Sequence, residues 1–157
     1  MTELPLFFQV EVEWKEKRAG KLRADSLPTV DVAAPPEFGR QEQTWTPEHL
    51  FVAAVNSCFM TIFLAIAENS RLTIVKFRSR AKGKLEKVEP SGYQITEVVI
   101  KPELVIQNAR DLDRAALILR KAEKNCLIAN SIKSAVKIEP AIYHQQVPAQ
   151  PCPAVQA

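Results

Sequence analysis

At 157 residues the chain suits one domain with a single sizeable core. Its 46% hydrophobic and 25% charged residues are ordinary for a globular protein. A net charge of +3, few aromatics and no dense Lys/Arg cluster argue against a nucleic-acid partner.

The start, Met1-Thr2-Glu3-Leu4-Pro5, has no basic region followed by an apolar run, so no signal peptide is expected. Leu6 to Trp14 alternates Val10, Val12 and Trp14 with Gln9, Glu11 and Glu13, which predicts a half-buried strand. Lys15 to Gly20 reads as a charged turn. Lys21 to Asp25 and Thr29 to Ala33 read as short strands. Pro35-Pro36 and Gly39 end regular structure, and Arg40 to Thr44 is a polar loop.

Thr46, Pro47 and Glu48 form a helix start. A threonine hydroxyl can accept from an unpaired N–H, proline suits the first helical position, and an acid suits the positive helix end. The apolar run from Leu50 to Ala67 covers every face, so this helix is expected to be buried on nearly all sides. Asn56 and Ser57 interrupt the run and argue against a membrane span.

Leu72 to Leu85 reads as a long strand with Gly83 marking a bulge or early end, and Pro90-Ser91-Gly92 as a turn. Tyr93 to Val105 is apolar on both faces and belongs inside a sheet, with an irregularity near Pro102. Arg110 to Asn125 forms a second helix. Its apolar stripe is Leu112, Ala115, Ala116, Leu119 and Ala122, and its cap is Asn108 or Asp111. A helical turn follows at Leu127 to Ile132, then a last strand at Ala135 to Ile138. Residues 1–143 form the domain; 144–157, rich in Gln, Ala and Pro, are expected to be a disordered tail. The order of elements predicts an α+β fold with antiparallel-rich sheets around a long central helix. A chain this small cannot easily enclose such a helix, so an intertwined homodimer is expected.

The candidate chemistry lies in thiols. Three cysteines without zinc-type spacing suggest a cytoplasmic protein with free or reactive thiols, and His49 and His144 are too isolated to add a metal site. Taken singly, Cys58 is a small core residue, Cys126 a helix-end residue, and Cys152 an incidental member of the tail.

Taken together the motifs say more. Thr46-Pro47-Glu48-His49-Leu50, then Asn56-Ser57-Cys58-Phe59, then Lys121-Ala122-Glu123-Lys124-Asn125-Cys126-Leu127-Ile128-Ala129-Asn130-Ser131 resemble the OsmC/Ohr family of thiol-dependent hydroperoxide reductases. The likeness runs from about Trp14 to Ile138, with Leu127 and Ala129 standing where many members have proline and serine. The resemblance implies an α+β homodimer that reduces organic hydroperoxides or hydrogen peroxide with an external, lipoyl-type dithiol. No cofactor, nucleic-acid partner or membrane is expected. Cys58 matches the peroxidatic cysteine, Cys126 the resolving cysteine and Glu48 the acid of the site. Arg18 matches the activating arginine, with Arg23 as the substitute. Phe51, Phe59 and Met60 are candidates to line a pocket for the hydroperoxide tail, with ordinary core residues as the alternative reading. The resemblance does not separate the Ohr-like from the OsmC-like branch.

These residue types suit that chemistry. A thiol with pKa about 8.5 is mostly protonated at neutral pH, and burial raises it further. Mid-helix Cys58 needs a cation, which a guanidinium supplies and a carboxylate can hold in place. Glu48 precedes Cys58 by ten residues, a rise of about 15 Å on one helix, so the acid is expected to serve the Cys58 of a second subunit. A non-catalytic thiol sensor or small-ligand binder on the same fold is the alternative, and it would oxidise once per chain instead of turning over.

Overall fold

The computed structural model describes residues 4–38 and 43–145. The chain divides at Ala53/Ala54 into two compact units, each described here by itself.

The first unit opens with an antiparallel three-stranded meander, β1 (Glu11–Glu16), β2 (Ala19–Arg23) and β3 (Val30–Ala33), in that order across the sheet. The alternation noted from Leu6 to Trp14 does become a strand, but it starts later and is not half-buried. Every residue of β1 is exposed, including Val12 at 66% and Trp14 at 74%. The alternation set the pleat correctly; it could not say whether anything covers the apolar face. Lys17 turns the chain between β1 and β2 with a φ of 47°, and Gly20 follows because a Cβ there would meet the Glu13 carbonyl oxygen at 2.7 Å. A short 3-10 turn occupies Pro36–Phe38. The polar loop expected over 40–44 falls largely outside the described residues.

Helix α1 (Pro47–Asn69) starts where the sequence signals it. Thr46 is 4% exposed, and its Oγ1 accepts from the His49 backbone N–H at 3.2 Å. The Ala33 N–H donates to the Trp45 carbonyl at 2.9 Å, tying the helix entry to β3. Thr46→Ala should therefore destabilise the protein by about 1 kcal/mol in urea unfolding, with no change in the elements formed.

In contrast to the expectation of all-round burial, only Val55, Phe59, Phe63 and Ala67 of α1 are buried. They recur every four residues and form a single stripe. An 18-residue window of α1 has mean hydropathy 2.2, long and apolar enough by composition to cross a membrane, with 22% of it buried. One chain covers one stripe of a helix that is apolar all round.

In the second unit β4 (Ile74–Val88) and β5 (Gly92–Ile106) form a long antiparallel hairpin. Gly92 leaves the turn with a φ of 82°, which suits glycine. The bulge anticipated near Gly83 lies at Lys84/Leu85. Phe63 stacks on Phe77 of β4 at 5.1 Å between ring centres. Asn56 and Ser79 bind each other twice: the Asn56 amide donates to the Ser79 carbonyl, and the Ser79 hydroxyl donates to Asn56 Oδ1. These contacts lay the buried stripe of α1 on the inner face of β4.

Strand β5 is internal, as its two-sided apolar pattern predicts; Val98, Ile100, Pro102, Leu104 and Ile106 are buried. Beside it run β6 (Ala135–Ile138) and β7 (Ala141–His144), both parallel to β5. Pro102 lies where β5 passes from β6 to β7, so the missing N–H falls at a gap in the ladder. The sequence reading stopped the strands at Ile138 and put His144 in the tail; Ala141 to His144 is instead a seventh strand. The remaining expected tail, 146–157 with Cys152, lies outside the described residues.

A 3-10 turn (Ala109–Asp111) leads into α2 (Leu112–Asn125). Asp111 is the residue before the helix, but its side chain makes no capping bond; it pairs with Arg114 at 3.2 Å. The buried stripe of α2 is Ala115, Ile118, Leu119 and Ala122, with Leu112 and Ala116 at its margin. A single turn, α3 (Leu127–Asn130), follows Cys126. Antiparallel and mixed sheets with helices make this the α+β fold expected.

Candidate active site

Helix α1 carries Cys58 beside the buried stripe, one position before Phe59, and leaves its thiol half-buried. The reciprocal Asn56–Ser79 pair lies two residues away and fixes the helix on β4 at this level. Asn56 thus does more than interrupt an apolar run. A lone amide in an all-apolar helix needs a partner, and that need was the available signal.

Cys126 is placed by a break in the helix. With φ −68° and ψ 109° it ends α2 and becomes the residue before α3. Its N–H donates to the Glu123 carbonyl at 3.4 Å, and its own carbonyl accepts from the Asn130 N–H at 3.0 Å. The Asn130 side-chain amide also donates to the Lys124 carbonyl at 3.1 Å. The bend is therefore held from both sides, and it turns Cys126 inward to 2% exposure.

The two thiols come together. Both are reduced, and they stand near enough for Cys58 to act on the ionisation of Cys126. Burial is the largest influence and pushes the Cys126 thiol up. The N–H groups of Ala129 and Ile128, directed at its sulfur, pull the other way, while Cys58 pushes it up further. Cys126 is thus a protonated partner at neutral pH, not a ready nucleophile. Site-resolved alkylation should show its midpoint above that of an unfolded thiol, about 8.5. Because the folded state holds this proton more tightly, the stability it contributes is present at neutral pH. That contribution is lost as pH rises from the unfolded value through the folded one. An alkylation midpoint at or below that of an unfolded peptide would contradict the arrangement.

The charged candidates are placed as follows. Glu48 lies in the first turn of α1, and its Oε2 is buried with no hydrogen-bond partner. Arg18 is exposed in the β1–β2 turn, where its guanidinium donates to the Phe38 carbonyl. Arg23 pairs with Glu13 at 2.6 Å on the neighbouring strand. Among the described residues neither arginine pairs with Glu48. Phe59, one of the candidates for a pocket wall, is 0% exposed and belongs to the core; Phe51 and Met60 are half-buried. Among the described residues no group of three or more His, Cys, Asp or Glu is placed to hold a metal ion.

This arrangement has relatives. The profile of the family described as OsmC-like protein matches residues 40–141. The structure is similar to that of an OsmC-like protein of unknown function from Vibrio cholerae, with 28% identity and a TM-score of 0.81, covering 87% of this chain and 100% of that one. An organic hydroperoxide resistance protein OsmC from Legionella pneumophila aligns at 19% identity and a TM-score of 0.68, covering 90% and 99%. An organic hydroperoxide resistance protein from Elizabethkingia anophelis aligns at 16% identity and a TM-score of 0.69, covering 92% and 100%. The last two likenesses show the fold alone. No curated protein matches the chain. With about two thirds of its length matched by the family profile and its two motif cysteines side by side, the chain belongs to the OsmC-like family.

Proposed function

We propose that the chain is a thiol-dependent peroxidase that reduces organic hydroperoxides in the cytoplasm, working as a homodimer and recycled by an external dithiol. The observation that carries this reading is the juxtaposition of Cys58 and Cys126, brought from two different helices, one half-buried and the other buried with its thiol pushed up.

The cycle balances with these two thiols. Cys58 as thiolate attacks the outer peroxide oxygen; the O–O bond breaks, and the alkoxide leaves as an alcohol after taking a proton. Cys58 is then a sulfenic acid. The Cys126 sulfur attacks the Cys58 sulfur, and its proton leaves with the hydroxyl as water, forming a disulfide. The external dithiol reduces that disulfide by exchange and is itself oxidised. The division of labour fits the environments: the more accessible thiol meets the peroxide, and the buried protonated one waits for the sulfenic acid.

Glu48 enters this reading through the second subunit. Helix α1 is unbroken from Pro47 to Asn69, and ten residues rise about 15 Å along it. No side chain spans that distance back to its own Cys58. A buried carboxylate oxygen without a partner costs about 1–3 kcal/mol or more, which favours a cation reaching it in the assembled dimer. Arg18, whose guanidinium makes an exposed bond to the Phe38 carbonyl, is the cation we assign to it.

Steady-state assays with cumene hydroperoxide and a lipoyl-type dithiol test the reading. Repeated turnover is expected; oxidation once per chain would make the protein a thiol sensor instead. Subunit mixing tests the shared site. Cys58→Ser and Glu48→Ala chains should each be impaired alone and regain activity as heterodimers. No recovery in demonstrated heterodimers would place acid and thiol in one chain.

A further inference from the structure

Alternation along β4 spreads out a set of cations that the pleat then gathers. Lys76, Arg78, Arg80, Lys82 and Lys84 occupy every second position, so all five lie on one face of the sheet. All five are exposed. Phe77 and Ser79, which alternate with them, meet Phe63 and Asn56 of α1, so the cationic row faces away from the helix. One cation in two is not a dense run along the chain. On the strand, successive cations stand about 6.8 Å apart in a single line.

The rest of this face does little to neutralise the row. Lys84 meets Glu86 at 2.8 Å, while Lys76, Arg78, Arg80 and Lys82 form no ion pair among the described residues. The residues opposite them on β5 are Val105, Glu103, Lys101, Val99 and Glu97. Two nearby acids are already engaged: the Lys137 ammonium donates to Glu97, and Lys101 pairs with Glu139 at 3.0 Å. Glu103, opposite Arg78, is the acid that remains. Arg80 stands directly opposite Lys101, a like-charge pair that weakens a sheet. Neighbours in the row are also closer than the screening length of about 8 Å at physiological salt. Folding alone gains nothing from this arrangement; an anion outside the chain offsets it.

We infer that this face docks on an anionic lipid surface, with headgroup phosphates against Arg78, Arg80 and their neighbours in the row. Shape favours lipid over a nucleic-acid strand. An open sheet presents a plane, whereas single-strand binders track the backbone along a groove and stack its bases on aromatic side chains. Tyr143, 57% exposed, lies beside Val105 on this face, at the Lys76 end of the row. Its ring and hydroxyl suit the boundary between headgroup and acyl chain. The long Lys and Arg stems let the charges reach out from the strand while the backbone stays in its ladder. This is contact with one leaflet, not a span, and α1 has no part in it. The inference rests on the preceding reading only for its use: a chain held at the lipid stays close to acyl-chain hydroperoxides, an apolar class of organic hydroperoxide.

Co-sedimentation of the full chain with vesicles tests this without reference to peroxide chemistry. Vesicles of equal parts phosphatidylcholine and phosphatidylglycerol should bind the chain at low salt, and pure phosphatidylcholine vesicles should not. Arg78→Glu with Arg80→Glu should weaken binding at least tenfold, because each cation near an anionic leaflet adds to the attraction. Arg120→Glu with Lys121→Glu, on the exposed side of α2, makes the same change in net charge and should bind nearly as the unaltered chain does. Raising salt should release the unaltered chain, a measurement that stands if a variant does not fold. Equal losses in the two variants would mean that net charge, not this face, drives binding, and the inference fails. It fails too if neutral vesicles bind equally well, or if the chain binds a single-stranded oligonucleotide and not the vesicles. Vesicle binding without turnover of cumene hydroperoxide would remove the peroxidase reading and leave the docking face standing; turnover without vesicle binding would do the reverse.

Discussion

Cys58→Ser will leave a folded protein whose hydroperoxide turnover falls on the order of a thousandfold or more. A serine hydroxyl does not ionise near neutral pH, and loss of an essential nucleophile is not made up by its surroundings. The substitution is nearly isosteric, and the position is half-buried, so stability should change little. Cys126→Ser separates the roles. It should still react with one equivalent of hydroperoxide but stop at a Cys58 sulfenic acid, detected by dimedone labelling and mass spectrometry. In the unaltered chain one equivalent should give the Cys58–Cys126 disulfide, for which the Cα atoms must approach within about 7 Å. Full turnover by Cys58→Ser would remove the mechanism. A stable sulfenic acid in the unaltered chain would remove Cys126 from it.

Phe63→Ala should be the most destabilising single truncation, at about 3–5 kcal/mol in urea unfolding. Its side chain is fully buried, and it stacks on Phe77 with an interplanar angle of 21°. The ring is part of the contact that holds α1 on β4, and the surrounding strands cannot collapse into the space without giving up their ladder. Against a total stability of roughly 5–15 kcal/mol this is a large share. Leu117→Ala, 45% exposed on the outer side of α2, should cost far less. Equal losses at the two positions would mean that the buried stripe of α1 is not the centre of the core.

The sequence alone determined what depends on neighbours along the chain. Thr46 before Pro47 placed the start of α1 to the residue, because a cap is a contact between residues three apart. The two-sided apolar pattern of β5 made it an internal strand, and the glycine after Pro90-Ser91 located the hairpin. The motifs around Cys58 and Cys126 identified the family. Local pattern also had its failures. Asp111 has the right chemistry for a cap but turns to Arg114, and Ala141 to His144 was given no strand, with His144 assigned to the tail, because a four-residue parallel strand has little pattern of its own.

Only the tertiary structure decided what depends on residues far apart. It brought the Cys126 thiol beside Cys58 and buried it, which sets the order of the two in the proposed cycle. It paired Asn56 with Ser79, 23 residues away, and decided between the pocket-wall and core readings of Phe59 in favour of the core. It also showed how much of α1 and β1 one chain leaves open. Apolar periodicity says which face of an element seeks cover; whether the cover comes from the same chain depends on how much surface that chain has to offer. Here Val12, Trp14 and most of α1 remain uncovered, and a buried oxygen of Glu48 remains without a partner. Those open faces and that oxygen are the observations on which the proposal of a second subunit rests.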